Sequence, residues 1–362
     1  MNAVKTAEKH GGDVQYGLGR QEGYRYGGCS AVLQRTAPDQ PVQRNLRVLY
    51  VPQGFDSIDN GIVDALRQTA AETEVSKPAE LIEKARDWKP DLVLVLNAMH
   101  VFPEDHPAHM DLLRSWGIRT AVWFADDPYF TEYSSNLAPH YDYVFTHELS
   151  CIPLYSSLGC SRVYYLPLAA DLQLFSPARV PLQYQSDVCF IGNAFWNRVA
   201  LFDELAEYLS TRKIVIAGAH WNRMRNYELL RPQIREGWVE PSETMLYYNG
   251  AKVVLNLHRP AEQGQDNHNT ANLPGNSINP RTYEIAGCGS LQLTDVREDL
   301  TRYYRPGYDI ETFNTAQELQ KKIEYYLTHE QERNRIAWRG LWTTRQQHSY
   351  VNRINRLLAV VE

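Results

Sequence analysis

Arg281 and Glu284 stand three residues apart, directly after a sequence that predicts the start of a helix. Asn279 can accept a hydrogen bond from a free N–H of the first turn, and Pro280 suits the first helical position. Helix N-termini attract phosphate, and Arg281 adds a fork of N–H donors, so a diphosphate is expected there. On the same face, the Glu284 carboxylate would accept from two neighbouring ribose hydroxyls. The stretch therefore predicts a nucleotide-sugar site, although Arg281 and Glu284 also suit an ordinary surface ion pair.

Two glycines are expected to end this helix after about two turns, because glycine readily adopts the left-handed conformation of a helix C-terminus. They are Gly287 and Gly289. We include Gly289 among the residues expected to contact the donor. Residues 290–293 then predict a short buried strand.

Short apolar runs alternate with segments of helical periodicity, which predicts an α/β fold. The first series of predicted strands comprises residues 46–51, 91–96, 119–124, 141–146 and 163–166. A linker that contains two prolines is expected within residues 169–186, and a second series of strands begins at residue 187. Such strand–helix–strand repeats predict two doubly wound parallel sheets, one within residues 46–175 and one within residues 186–345.

Polar residues follow the strands of the first series, at the edge where parallel sheets bind ligands. Asp126 and Asp127 end one strand, and one of two adjacent carboxylates with a raised pKa suits a general base for an acceptor hydroxyl. The alternative is that one of them caps the turn begun by Pro128. His100 ends the preceding strand and is assigned to the same acceptor surface. Prolines break the spacing of the histidines that follow it, so no metal site is expected.

The second series has its own polar strand ends. Gly192 would let the backbone approach a phosphate, with Asn193 beside it and Arg198 just inside the next helix. Alternatively, Arg198 is a solvated helix residue. His258 ends a later strand, where it would bond a phosphate or the base, or serve only the structure. The long polar loop over residues 261–277 is expected to gate the substrate.

The bulk composition excludes several classes of protein. The net charge is −6 and the pI is about 6.0, which argues against a nucleic-acid binder. Five cysteines without close pairs fit a reducing compartment. Residues 1–20 lack the apolar segment of a signal peptide, and no apolar run has the length of a membrane span, so a cytoplasmic protein is expected.

Residues 1–45 differ from the rest of the chain. Gly19, Gly23, Gly27 and Ala31 recur every four residues, so on a helix they would form one smooth face. This glycine-rich arm is expected to dock on the domains, to bind a protein partner or to be disordered.

The site stretch also carries a resemblance. Asn-Pro-Arg-Thr-Tyr-Glu-Ile-Ala-Gly-Cys-Gly at 279–289, with Gln-Leu-Thr-Asp at 292–295, resembles the C-terminal domain of the spore-maturation, CgeB-type glycosyltransferase-like family. Tyr-Arg-Pro-Gly-Tyr-Asp at 304–309 and Trp-Phe-Ala-Asp-Asp-Pro at 123–128 extend it. The resemblance implies a GT-B-like fold, with two Rossmann-like domains facing across a cleft and residues 346–362 crossing back to the first domain.

The resemblance also implies functions for individual residues. The strand–glycine–arginine segment around Gly192 and Arg198 would begin the nucleotide-binding domain. In the retaining relatives two glutamates stand eight residues apart and the second binds ribose; Glu284 matches the second, and Asn276 replaces the first. We therefore expect a metal-independent glycosyltransferase that uses no cofactor and takes a uridine diphosphate sugar as donor. The acceptor, whether glycan, lipid or protein, is left open.

Two other functions suit the same architecture. A nucleotide-sugar epimerase would need a second carboxylate, so that Asp126 and Glu284 face one sugar. A non-catalytic spore or surface-associated protein would keep the fold and lose the chemistry, which is compatible with Asn276.

Overall fold

The first half of the chain forms one parallel sheet with helices on its faces. The computed structural model describes the backbone of residues 2–362 and the side chains of residues 16, 17 and 19–362. The strands are β1 (Arg44–Val51), β2 (Ala70–Val75), β3 (Leu92–Leu96), β4 (Arg119–Phe124), β5 (Tyr143–Thr146) and β6 (Val163–Tyr165). The helices are α1 (Asn2–Arg35), α2 (Asp56–Thr69), α3 (Leu81–Trp88), α4 (His106–Ser115), α5 (Thr131–Leu137) and α6 (Cys151–Ser157). The strand order is β2-β1-β3-β4-β5-β6.

The second half repeats this architecture. Its strands are β7 (Ser186–Ile191), β8 (Ile214–Gly218), β9 (Ile234–Glu236), β10 (Ala251–Asn256), β11 (Gln292–Asp295) and β12 (Glu311–Phe313). Its helices are α7 (Trp196–Glu204), α8 (Ala206–Ser210), α9 (Tyr227–Leu230), α10 (Pro241–Gly250), α11 (Pro280–Gly287), α12 (Ala316–Thr328), α13 (Glu330–Gln347) and α14 (Tyr350–Val361). The order β12-β11-β10-β7-β8-β9 places the change of direction between β7 and β10. We call the units around the two sheets the N-terminal and C-terminal domains.

The predicted fold class is confirmed, and the alternating apolar runs explain why. Every residue of β3 is buried, as expected for a strand covered by helices on both faces. The edge strand β2 was missed, because Ala-Ala-Glu-Thr-Glu-Val carries two charges and few apolar side chains. The short strand β9 ends before Trp238, and Trp238 itself is exposed. Among the described residues, every helix is too short or too polar to span a bilayer.

Helix α14 belongs to the core of the N-terminal domain. Its residues Ile354, Leu357 and Leu358 are fully buried and pack with apolar residues of β1, β3 and β4. The Arg353 guanidinium donates to the carbonyl oxygens of Pro167 and Leu168, at 2.9 and 3.2 Å from Nε. Ahead of the helix, the His348 carbonyl accepts from the Ala170 N–H at 3.1 Å, in an isolated parallel bridge between Ala170 and Ser349. After α1, the chain therefore passes between the domains at Ala170 and again near Ser349, and these two passages are bonded to each other.

The glycine-rich segment is one long helix that docks on α13. The Trp338 indole N–H donates to the Arg25 carbonyl at 3.1 Å, and the ring packs against the backbone of Gly28. A Cβ on Gly28 would lie 2.0 Å from the indole, so only glycine permits this approach. The predicted smooth face of Gly19, Gly23 and Gly27 is not used for docking, since no described atom lies within 4 Å of a Cβ built there.

The docking of α1 is testable with two neighbouring alanine variants. We expect Gly28→Ala to destabilise the protein by about 1–3 kcal/mol, because the new methyl overlaps the Trp338 ring. Gly27→Ala, whose methyl meets open space, should instead stabilise the helix by about 0.5–1 kcal/mol. Urea denaturation and limited proteolysis of α1 measure both effects. Equal behaviour of the two variants would contradict this docking.

Candidate functional site

The N-terminus of α11 is held at the end of β10 by a network of amides. Asn279 caps the helix as predicted, its Oδ1 accepting the Thr282 N–H at 3.1 Å. The Asn279 and Asn256 side chains also exchange two hydrogen bonds, of 2.9 and 3.1 Å. Because Asn256 is the last residue of β10, the sheet fixes where the helix begins. No described group accepts from the Arg281 backbone N–H, so the first turn has a donor available for a ligand.

His258 positions this helix and has no free ring nitrogen for a ligand. Its Nδ1 lies 2.6 Å from Asp295 Oδ1, and its Nε2 accepts the Asn279 N–H at 3.0 Å. Burial lowers the pKa of His258, which matches a neutral ring that accepts at Nε2. Burial opposes the ionisation of Asp295, but His258 and Arg297 outweigh it and hold the pKa of that carboxyl below its usual range. The expectation that His258 contacts phosphate or base is therefore corrected.

Arg198 connects the two loops where the order of the second sheet changes direction. Its Nη1 donates to the Asn193 carbonyl at 2.8 Å and its Nη2 to the Leu257 carbonyl at 2.6 Å. It is 2% exposed, so the alternative of a solvated helix residue is wrong. The guanidinium also fills the space above Gly192, where a Cβ would lie 3.0 Å from Nη1. Gly192 thus accommodates Arg198 rather than leaving an empty cradle for phosphate.

Two further arginines lie close enough to lower the pKa of Arg198. Burial and the charges of Arg281 and Arg259 lower the pKa of Arg198 to about 9. The half-buried Arg281 forms no side-chain hydrogen bond or ion pair with any described residue, so the surface ion pair with Glu284 is absent. The Arg259 guanidinium lies over three aromatic rings, at 4.8 to 5.0 Å from their centroids: Tyr129, Phe130 and Phe195.

We call Arg198, Arg259 and Arg281 the arginine cluster. None of the three forms an ion pair with a carboxylate in the described part of the chain, although Arg198 and Arg259 are largely removed from water. Grouped positive charges without partners are costly, and an anionic ligand would offset that cost. Sequence analysis identified Arg198 and Arg281 but not Arg259, whose aromatic neighbours come from distant segments. Its position next to His258, at the end of β10, was the available signal.

Glu284 lies at the contact between the domains. Its Oε1 accepts from the Ser57 hydroxyl at 3.2 Å, and Ser57 belongs to α2 of the N-terminal domain. Burial raises the pKa of Glu284 to about 7, against the opposing charge of Arg281. The second oxygen has no hydrogen bond from a described residue, so it remains available to a hydroxyl.

The two adjacent aspartates have different environments. Asp126 is half-buried, and its Oδ2 accepts from the Asn97 amide at 2.9 Å. Burial raises the pKa of Asp126, while the charge of Arg259 opposes the shift. Asp127 is fully buried and accepts from Thr146 and Tyr155 hydroxyls at 2.6 to 2.8 Å. The assignment of Asp127 as a catalytic residue is therefore corrected: it holds the strand ends together, and Asp126 remains the candidate base.

His147 is a site residue that sequence analysis missed. It directly follows β5, is buried, and neither ring nitrogen has a hydrogen-bond partner among the described residues. Burial lowers the pKa of His147 to about 4, although Asp126 lies near enough to oppose the shift. His100 is exposed at the same edge, with its ring 4.9 Å from that of Phe130. The end of β5 was predicted from the sequence. The position of His147 directly after that strand was therefore the signal that could have identified it.

The loop expected to gate the substrate connects the two domains. Glu148 Oε2 accepts the backbone N–H groups of Asn276 and Ser277 at 3.0 and 2.9 Å. Thr131 of α5 donates to Asn269 Oδ1 at 3.1 Å. Asn276 therefore meets the N-terminal domain through its backbone, and Glu148 places a carboxylate beside the position where the resembled family has its first glutamate.

Gly289 lies away from this site, which corrects its assignment to the donor. It ends α11 at a φ of +66°, at the opposite end of the helix from Asn279. A Cβ there would lie 2.6 Å from the Cys29 sulfur of α1. The glycine therefore serves the docking of the N-terminal helix.

The raised pKa of Glu284 predicts a pH-dependent cost to stability. Between about pH 4.5 and 7 the folded protein retains a proton at Glu284 that the unfolded chain has released, so stability falls as pH rises through this window. Without ligand, we expect Glu284→Gln to gain up to about 3 kcal/mol over the wild type at pH 8, and almost nothing at pH 4.5. Urea denaturation at both values measures this, with the exposed Glu298→Gln as control. A gain that is independent of pH would contradict the assignment.

Comparisons with known proteins agree with this architecture. A family model described as glycosyl transferase-like matches residues 198–359. Spore protein CgeB of Bacillus subtilis (strain 168) is 29% identical over 301 residues, which cover 81% of this chain and 91% of that protein.

Solved structures with low sequence identity share the fold. Anabaena Alr3699/HepE in complex with UDP-glucose is 10% identical with a TM-score of 0.59, over 87% of this chain and 99% of that chain. Sucrose-phosphate synthase from Thermosynechococcus elongatus is 10% identical with a TM-score of 0.58, over 87% of this chain and 98% of that one. Over most of its length the chain is therefore similar to the CgeB-type, glycosyltransferase-like proteins, and it has the GT-B fold.

Proposed function

We propose that the protein is a glycosyltransferase that transfers a sugar from a uridine diphosphate donor. The arginine cluster carries this proposal, because three guanidinium groups without carboxylate partners stand where the order of the second sheet changes direction. A diphosphate supplies the negative charge that this cluster lacks. Glu284, one turn into α11, would accept from the ribose hydroxyls. A solved structure of the same fold in complex with UDP-glucose supports the choice of donor.

During sugar transfer, negative charge develops on the departing diphosphate. As the bond between the anomeric carbon and the diphosphate breaks, Arg281 and the N-terminus of α11 would stabilise the developing charge. The acceptor oxygen forms the new bond to the sugar, and Asp126 takes the proton that it releases. A raised pKa makes Asp126 a better proton acceptor than an ordinary surface aspartate. Since the arginines supply fixed positive charge, independence of divalent metal stays a prediction of this proposal.

The acceptor would approach over the N-terminal domain. His100, Phe130 and Tyr133 form a cluster of rings beside Asp126, and Tyr133 is 44% exposed. His147 is a buried donor and acceptor at the same edge, so a sugar hydroxyl would satisfy one of its ring nitrogens.

An epimerase has less support from the same contacts. Glu284 contacts Ser57 and is influenced by Arg281 and Asp171, whereas Asp126 is influenced by Arg259, His147 and His100. The charges that shift the pKa of one carboxylate are not those that shift the pKa of the other, so these contacts do not pair the two at one sugar.

Donor binding is testable by thermal shift with UDP, UDP-glucose and GDP. A ligand that binds only the folded state raises the melting temperature in proportion to its affinity. We expect UDP compounds to stabilise the wild type, and Arg281→Gln and Glu284→Ala each to weaken binding by about tenfold or more. Arg86→Gln, an exposed arginine on α3, is the matched control and should bind as the wild type does. A folded wild type that no nucleotide stabilises would contradict the proposal and favour a non-catalytic protein.

The assignment of the base is testable by separating Asp126 from Asp127. We expect Asp126→Asn to lower the release of UDP from UDP-glucose by about 10²-fold or more, with glycerol and methyl glucoside as surrogate acceptors, while UDP still raises the melting temperature. Asp127→Ala should instead lower stability by about 1–3 kcal/mol, because Thr146 and Tyr155 lose their acceptor. Full activity in Asp126→Asn would exclude it as the base.

A further inference from the structure

A second cavity lies at the opposite edge of the second sheet from the arginine cluster. It measures about 220 Å³ and is bounded by α1, α13 and the first residues of β7 and β10. This volume is many times what one water molecule needs, so it is enough for a small polyatomic ligand. The cavity exists because α1 docks on α13, so it is a product of the N-terminal helix.

Two guanidinium groups in its wall have unused donors. Arg333 is buried, donates only from Nη1 to the Tyr326 carbonyl at 2.6 Å, and forms no ion pair with a described residue. Arg25 contacts Glu22 and the Ala178 carbonyl through Nε and Nη2, and its Nη1 is buried without a partner. Burial lowers the pKa of Arg333, and the charge of Arg25 adds to this effect. The two guanidinium groups therefore lie near each other, and each has N–H groups without an acceptor among the described residues.

Uncharged polar groups in the same wall are also unsatisfied. Asn334 is 2% exposed and its Nδ2 has no partner, and Ser186 is 4% exposed with an unpartnered Oγ. Both residues line the cavity together with Arg333. Buried donors without acceptors are uncommon in folded proteins. Both atoms have almost no accessible surface, so a ligand in the cavity would contact them after a rotation of each side chain.

The charges that line the cavity sum to an excess of one cation. Glu22 is paired with Arg25 at 2.8 Å, and Asp187 with Lys252 at 2.8 Å. The groups without an ion pair are Arg333, Lys213 and Glu330. Two cations and one carboxylate remain, which favours an anion of low charge over a cation.

We propose that this cavity is a second ligand site that binds a small phosphate-class oxyanion, distinct from the donor site. The ligand is either free phosphate or the phosphoryl group of a small metabolite, since both present the same acceptor oxygens to Arg333, Arg25, Asn334 and Ser186. Because Arg25 belongs to α1 and the others to the C-terminal domain, the bound anion would strengthen the docking of the N-terminal helix.

The test is calorimetric titration of the full chain with inorganic phosphate and, separately, with glucose 6-phosphate, in saturating UDP. UDP occupies the arginine cluster, so remaining phosphate binding reports the second cavity. We expect Arg333→Gln to weaken binding by about tenfold or more, because it removes a charge-assisted donor. Arg335→Gln, exposed on the same helix, should bind phosphate as the wild type does. The tighter of the two ligands identifies the source of the oxyanion.

A second variant covers the case in which Arg333→Gln does not fold. Lys213 lies exposed at the rim, so Lys213→Gln should leave the fold intact and weaken phosphate binding by a smaller factor. In the wild type, phosphate should also slow proteolysis within α1. The proposal is overturned if the wild type binds neither ligand in saturating UDP, or if both Arg333→Gln and Lys213→Gln bind as tightly as Arg335→Gln.

Discussion

The site depends on three guanidinium groups that the fold brings together, none of which forms a direct ion pair with a carboxylate of a described residue. Arg198 is held by backbone carbonyls, Arg259 by aromatic rings, and Arg281 by its place in the first turn of α11. None of these contacts neutralises charge, so the positive potential is preserved for a ligand. A salt bridge at any of the three positions would lower the electrostatic cost in the ligand-free protein. It would also leave less positive charge to bind an anionic ligand.

The rest of the C-terminal domain can be understood as support for this arrangement. Asn256 and His258, at the end of one strand, hold the start of α11 through its cap residue. Asp295, at the end of the adjacent strand, holds His258 in turn. The helix therefore has a defined position before any ligand arrives, and binding need not organise it. The N-terminal domain reaches the same helix through Ser57, which contacts Glu284.

Features that depend on neighbouring residues in the sequence were predicted better than features that depend on long-range contacts. Alternating apolar runs identified both sheets, and Asn279 and Pro280 identified a helix start, because these signals depend on neighbours in sequence. The contacts of His258, Asp127 and Gly289 were not predicted, since each is decided by a partner from another segment. For Gly289 that partner is Cys29, 260 residues away in sequence. Nothing in the local sequence of Gly289 distinguishes a glycine that faces a ligand from one that faces a helix.

The passages at Ala170 and Ser349 have a mechanical consequence for the domains. One passage runs through Ala170 and the other through Ser349, and the two are hydrogen-bonded side by side. A single flexible connection would permit rotation about many axes, whereas two connections restrict rotation to the line that passes through both. Two connections joined into one ribbon act as a hinge with a single axis. Rotation about this axis would separate the two domains and bring them back together. Each closure would then restore the same contact between Ser57 and Glu284.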